Sequence, residues 1–368
     1  MPTRIAFLVH SFDDGGVERM LVNTARTLDG CGVRVDFLID HRRHPYVDLL
    51  PASVQLIELG ISRHDVRNTL TSYLAQEQPK YLISAKISDD ELALDARDRA
   101  GVPVQVLLRV GNPLVNRLHQ HTCNPLVRWA RLRTLKRLYA RADGYIAVTR
   151  GIAEELAEHL APPGKPIYVL PNPSITDDLF SRARVEPKHP WFAKGEPPVI
   201  MGTGGLRRQK DFGTLVRAFA IVRKTLPCRL LILGKGRQRD RLLRLARRLG
   251  IADHVQLMGF QENPHTFIAR AACFVTSSRW EGAANVLVEA AALGTPIVST
   301  ACPSGPSDIL GNGRFGVLVP VGDASAMARA IVQVLQKPLL PEVTRQAAEP
   351  YTAERSATAY IRALKLEV

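Results

Sequence analysis

The sequence predicts two doubly wound α/β domains joined by a linker. Three observations lead there. At 368 residues the chain exceeds the length at which one hydrophobic core keeps growing. Short apolar runs bounded by turn residues recur along it, alternating with segments whose apolar residues fall at helical spacing. A proline- and charge-rich stretch then separates an earlier group of such runs from a later one.

In the first half the strand candidates are "RIAFLVH", "VRVDFLI", "VQLIEL", "YLISAK", "VQVLLRV", "YIAVT" and "IYVLPN". In the second they are "PVIMGTG", "RLLILG", "VQLMGF", "CFVTSS", "PIVST" and "GVLVP". Continuous rather than alternating apolar runs indicate parallel strands buried on both faces, and helices must then supply the crossovers. The segment "PNPSITDDLFSRARVEPKHPWFAKGEPP" has no sustained period and reads as a linker. The expected boundaries are 1–174 for the first Rossmann-like domain, 175–197 for the linker and 198–348 for the second. Residues 349–368 are expected to end in a helix with Thr352 as N-cap. Ligands of such folds gather at the carboxyl ends of the strands, so the cleft between the two halves is the expected site.

A hydrophobic share of 46% without long polar tracts excludes a disordered chain. Five cysteines, at 31, 123, 228, 273 and 302, contain no C-x-x-C pair and are expected to be reduced core thiols. The apolar run at the N-terminus is too short for a signal peptide, and no stretch has the length of a membrane span. A cytoplasmic location follows as the expectation. The net charge of +14 implies attraction to something anionic: nucleic acid, a phosphorylated substrate or an acidic membrane surface.

Three loops could hold phosphate. Gly15 and Gly16 precede a helical stretch after the first strand, and a glycine pair there lets backbone N–H groups approach an anion. A tight βα turn is the alternative. "GTGGLRRQKDF" joins Gly204 and Gly205 to Arg207, Arg208 and Lys210, and cations beside exposed backbone suit a diphosphate. A solvated basic turn is the alternative, and "GKG" at 234–236 repeats the theme weakly. None completes a G-x-G-x-x-G followed by a helix, so a Rossmann dehydrogenase is a poor match.

The third loop is "EGAANVLVEAAALG", 281–294. Its composition is helical from Asn285 to a C′ residue at Gly294, and N–H groups from Gly282 to Asn285 would face an anion at the helix start. Asn285 and Glu289 share a face. Glu289 could accept from vicinal hydroxyls such as those of a ribose, and Glu281 could face a reacting sugar. Against these stand a helix-start carboxylate for Glu281 and a solvated face for Glu289.

Over residues 259–323 the sequence resembles the nucleotide-binding core of the family-four retaining glycosyltransferases, which have the GT-B fold of two Rossmann-like domains facing across a cleft. The Glu-x7-Glu pattern is carried by Glu281 and Glu289, and "GGVERMLVNTARTL", "YIAVTRGIAEEL", "LPNP" and "QKDFGTLVRAF" extend the resemblance along the chain. It implies that Glu289 binds the donor ribose, that Glu281 lies beside the donor sugar, and that backbone at Ala284, Asn285, Val286 and Leu287 receives the diphosphate with Lys210. Gly16 would belong to the N-domain loop closing over the donor, the first domain would bind the acceptor, and the final helix would cross back to it. Two positions depart from the family. Gly205 stands where an arginine is common, leaving Arg207 or Arg208 to supply that charge, and Gly111 stands where many relatives have a histidine, leaving Arg109 or Asn112 to contact the sugar.

The implied reaction moves a sugar from a nucleotide diphosphate to an acceptor hydroxyl with retention of configuration. Glu281 and Lys210 are the catalytic candidates. No metal or other cofactor is expected, because Lys210 and the helix start can match the diphosphate. The likeness of "CPSGPSDIL" to loops of transferases that extend lipid-linked saccharides points to UDP and an N-acetylhexosamine. "LVRWARLRTLKRLYARAD" has six basic residues from Leu126 to Arg141 and no acid before Asp143, with leucines at helical spacing. Such a helix can lie on an anionic membrane, and a lipid-linked acceptor is expected; the alternative is an ordinary surface helix. A soluble acceptor, a sugar-binding relative without catalysis and a basic nucleic-acid-binding protein are the competing readings. Nucleic acid is disfavoured, because the cations are not interleaved with aromatics that could stack on bases.

Overall fold

A computed structural model describes residues 2–10, 16–41, 46–115, 118 and 124–368. The chain divides into two units, Met1–Ser174 with Tyr351–Val368, and Ile175–Pro350. Each is built on an open, wholly parallel sheet.

The first unit has seven strands: β1 Arg4–Val9, β2 Arg34–Ile39, β3 Gln55–Glu58, β4 Tyr81–Ser84, β5 Gln105–Val110, β6 Gly144–Ala147 and β7 Ile167–Val169, in the order β3-β2-β1-β4-β5-β6-β7. Both faces of β1 are buried, which is why its sequence does not alternate. Leu21, Val22, Ala25 and Leu28 of helix Gly16–Gly30 pack on Ile5 and Phe7. Ala357, Tyr360 and Leu364 of helix Ala353–Leu364 join the same core. Burying a side chain of that size contributes about 1.5–3 kcal/mol, enough to hold the last helix on this unit. Thr352 Oγ1 accepts from the Arg355 N–H at 3.3 Å, and Lys80 Nζ donates to the Lys365 carbonyl at 2.6 Å.

The second unit has six strands: β8 Val199–Thr203, β9 Arg229–Leu233, β10 Val255–Gly259, β11 Cys273–Thr276, β12 Ile297–Thr300 and β13 Val317–Val319, in the order β10-β9-β8-β11-β12-β13. All the strand runs identified in the sequence are strands. The order reverses between β8 and β11, and the loops following those two strands carry the glycine–basic loop and the Glu281 turn. In the first unit the reversal falls between β1 and β4. A reversal leaves an unfilled crevice at the carboxyl ends of the strands, where ligands bind.

Two expectations need correction. Residues 175–197 are not a bare linker: they contain helix Asp177–Arg184 and belong to the second unit. The helix has Asp177 and Asp178 in its first turn, Arg182 and Arg184 in its last, and buries Leu179 and Ala183. Arg270 Nη1 donates to its Ala183 carbonyl at 2.8 Å and Asn263 Nδ2 to that of Arg182 at 2.8 Å. Eight residues are too few to produce a readable period. Cys31, in turn, is exposed rather than a core thiol, whereas Cys228, Cys273 and Cys302 are buried. Burial pushes the Cys228 thiol up to about 11 and that of Cys302 to about 12. Cys123 lies outside the described residues.

Candidate active site

After β8 the chain turns through Gly204 at φ +143°, a conformation open to glycine. A Cβ there would sit 3.0 Å from Lys210 Cε, so the bare backbone lets the lysine chain fold across it. The Gly204 N–H donates to the Leu233 carbonyl at 2.9 Å. This glycine therefore provides clearance, not a phosphate donor. Gly234 and Gly236 have a similar reason: added Cβ atoms would lie 2.0 Å from the Gly204 carbonyl oxygen and 2.5 Å from that of Leu206. Two loops run backbone to backbone here, joined by Leu206 N–H donating to the Lys235 carbonyl at 2.8 Å. Packing thus accounts for the "GKG" glycines.

Lys210 reaches the loop that follows β11. Its Nζ lies 2.6 Å from Glu281 Oε1, which also accepts from Ser278 Oγ at 2.5 Å. Among the described residues Glu281 Oε2 has no hydrogen-bond partner, which leaves it for a ligand. The two loops are locked together around this pair. Arg279 N–H donates to the Gln209 carbonyl at 2.8 Å, Gln209 Nε2 to the Trp280 carbonyl at 3.1 Å and Ser277 Oγ to the Lys210 carbonyl at 2.7 Å. Thr300 Oγ1 holds the Ser278 carbonyl at 2.6 Å from the far side.

Ala284, at φ +42°, caps helix Asn285–Ala292. A left-handed residue with a Cβ costs on the order of 1–2 kcal/mol. Gly305 presses on this turn, since its Cβ would lie 2.4 Å from the Gly282 carbonyl oxygen. No backbone carbonyl among the described residues accepts from the N–H groups of Gly282, Ala283, Ala284 or Val286, whereas Leu287 donates to the Ala284 carbonyl at 2.8 Å. Leu287 is thereby removed from the expected diphosphate donors. Asn285 and Val286 are the partly exposed positions of the turn.

Glu289 is only 1% exposed, which overturns the solvated-face reading. Its Oε2 lies 3.1 Å from His265 Nε2. Among the described residues the opposite ring nitrogen, Nδ1, is buried without a partner. A buried carboxylate needs a polar partner, and no sequence signal marks His265 as one, because the pairing spans 24 residues and is made only by the fold.

Gly205 has no side chain to offer, and the Arg207 chain runs beside it, with Nε 3.2 Å from where a Cβ would be. Arg207 and Arg208 are both exposed.

In the first unit, a cavity of about 990 Å³ opens at the carboxyl ends of β4 and β5. Arg109, Gly111 and Asn112 line it with Lys86 and with Leu135 and Tyr139 of helix Pro125–Tyr139. Arg109 is 4% exposed; its Nη2 donates to Asn172 Oδ1, while among the described residues Nε and Nη1 have no hydrogen-bond partner. Nη1 lies 3.6 Å from the position of a Cβ on Gly111. The guanidinium thus occupies the space beside Gly111. Lys86 pairs with Glu18 at 2.5 Å, just inside helix Gly16–Gly30. Gly16 is exposed, and among the described residues nothing lies within 4 Å of where its Cβ would be; Gly15 lies outside the described residues.

Residues 197–337 match the family model described as glycosyl transferases group 1, and residues 15–173 match the glycosyl transferase 4-like domain. The lipopolysaccharide core biosynthesis glycosyltransferase LpsE of Rhizobium meliloti is 34% identical over 54% of this chain and 55% of its own. A Campylobacter jejuni enzyme, N-acetylgalactosamine-N,N'-diacetylbacillosaminyl-diphospho-undecaprenol 4-alpha-N-acetylgalactosaminyltransferase, is 29% identical over 54% of this chain and 52% of its own. The chain thus spans about half the length of the curated relatives it matches. Among solved structures, HepE of Anabaena in complex with UDP and glucose aligns over 99% of both chains, with a TM-score of 0.80 and 16% identity. At that identity the likeness establishes the fold, that of the GT-B glycosyltransferases.

Proposed function

The chain belongs to the group 1 glycosyltransferases of family four, and from that premise we propose that it transfers a sugar from a nucleotide diphosphate to an acceptor hydroxyl, with retention of configuration. The observation that carries this is the Lys210–Glu281 pair at 2.6 Å, set on the loops that follow the two switch-point strands. On this reading Lys210 and the N–H groups of the Gly282–Val286 turn neutralise charge that builds on the leaving diphosphate, the term that usually dominates such catalysis. Glu281 turns Oε2 to a hydroxyl of the donor sugar, and Glu289, oriented by His265, takes the ribose. Lys210 and the turn match the diphosphate without a metal ion.

UDP is the proposed nucleotide and an N-acetylhexosamine the proposed sugar. The acceptor is proposed to be a lipid-linked saccharide in the assembly of a cell-surface polysaccharide, bound in the first-unit cavity that Arg109 and Asn112 line. Helix Pro125–Tyr139 supports this. Tyr139 is its one buried residue, yet Leu126 is 75% and Trp129 59% exposed among Arg128, Arg131, Arg133, Lys136 and Arg137. An apolar tip set among cations suits an anionic bilayer surface. The Campylobacter relative, named for a diphospho-undecaprenol acceptor, fits the same chemistry. A cytoplasmic enzyme attached to the inner membrane face is the corresponding location; no helix among the described residues is long and apolar enough to cross a membrane.

Thermal unfolding in the presence of UDP-, GDP- and ADP-sugars tests the donor, because a ligand that binds only the native state stabilises it by mass action. A rise with UDP-sugars that disappears in Lys210→Ala is the expected outcome. Indifference to every nucleotide sugar would count against the proposal.

A further inference from the structure

A second cavity, of about 270 Å³, lies wholly within the second unit between the starts of helices Phe212–Val222 and Arg239–Arg248. Five arginines line it: Arg207, Arg208, Arg217, Arg241 and Arg279. Its single carboxylate, Asp211, already pairs with Arg279 at 3.1 Å and accepts from Thr214 Oγ1 at 3.0 Å. Among the described residues no carboxylate lies within ion-pair distance of Arg207, Arg208, Arg217 or Arg241. Arg217 folds back over the helix start, its Nη1 3.5 Å from the position of a Cβ on Gly213. None of Glu281, Ala284–Leu287 or Glu289 contributes to the lining.

Guanidinium groups gathered around one hollow repel one another and set up a positive potential there that favours a bound anion. Arginine forks match phosphate oxygens two at a time, and the N-terminus of the eleven-residue helix Phe212–Val222 adds its dipole. The volume is below the usual range for a complete small-molecule ligand, about 300–1,000 Å³, and suits a phosphate or diphosphate group. We infer that this arginine pocket is a binding site for a phosphate-bearing anion, separate from the Glu281 and Glu289 side chains, neither of which lines it. The loop it grips, from Arg207 to Gly213, contains Lys210. Occupancy therefore fixes the segment that presents Lys210 to Glu281. Free diphosphate and a phospholipid headgroup share the required chemistry.

The test compares the wild-type chain with an Arg217→Ala/Arg241→Ala variant; both positions are exposed, so the fold is retained. Pyrophosphate binding is followed by calorimetry at fixed ionic strength with saturating UDP present, and capture by phosphatidylglycerol vesicles is measured against phosphatidylcholine vesicles. If the source is a free phosphate, the variant binds pyrophosphate at least tenfold more weakly, with vesicle capture unchanged. If it is a headgroup, the variant is captured measurably less by the anionic vesicles instead, the remainder being due to helix Pro125–Tyr139. UDP affinity stays the same in either case. The inference is overturned if wild type and variant match in both assays, or if UDP displaces all the pyrophosphate.

Discussion

The ammonium of Lys210 lies 2.6 Å from Glu281 Oε1, which makes the two residues one ion pair. A leaving diphosphate must therefore draw Lys210 away from, or share it with, its carboxylate. Glu281→Gln removes the competing charge and should leave UDP affinity equal or higher while the transfer rate falls. Lys210→Ala should weaken UDP and lower the rate by about 100- to 1,000-fold, the usual cost of one charge-stabilising donor. Calorimetry and initial rates on the two variants separate the effects.

His265→Ala leaves the Glu289 carboxylate without its imidazole donor in a site that is 1% exposed. A hydrogen bond to a charged group contributes about 1.5–3 kcal/mol. Urea unfolding should register a loss of at least that size, and a double-mutant cycle with Glu289→Gln should show that the two effects are not additive.

Gly234→Ala would drive a Cβ to 2.0 Å from the Gly204 carbonyl oxygen at a backbone φ of +136°. Backbone strain alone is worth about 1–3 kcal/mol, and the clash adds to it. The melting temperature should fall, and UDP binding should weaken as the 204–206 loop shifts. Gly250→Ala, also at positive φ but with open space, should cost only the strain.

Asp90 is buried beneath Tyr139, accepts from Ser84 Oγ at 2.7 Å and has the buried Asp89 as its neighbour. Burial pushes its pKa up to about 7 and that of Asp89 in the same direction. The folded state thus holds the proton more tightly than the unfolded chain, whose aspartates titrate near about 3.9. Stability from Asp90 is complete below the unfolded value and is lost as pH rises through about 7. Asp90→Asn should be more stable than wild type at pH 8 in urea unfolding, with the difference shrinking as the pH is lowered towards about 4.

Much of the fold was legible because parallel strands buried on both faces read as uninterrupted apolar runs, as in β1 and β8. Helix Asp177–Arg184 was hidden by its length and by the proline-rich residues that follow it. At the site, the Glu-x7-Glu spacing and the lysine of the basic loop were readable one residue at a time. Their pairing was not: Lys210 and Glu281 are 71 positions apart and meet only because β8 and β11 are neighbours in the sheet. The glycines misled for a related reason. Gly204 and Gly234 suggest phosphate contact in sequence, but in the fold they make room for Lys210 and for each other.

The most direct measurement is UDP release from a UDP-N-acetylhexosamine in the presence of a polyprenyl-diphosphate saccharide, with product linkage read by NMR, for wild type and Glu281→Ala. The proposed function predicts acceptor-dependent release by the wild type, an α-linked product from the α-linked donor, insensitivity to a chelator, and loss of release in the variant. Equal release by both proteins, or an inverted linkage, would contradict it.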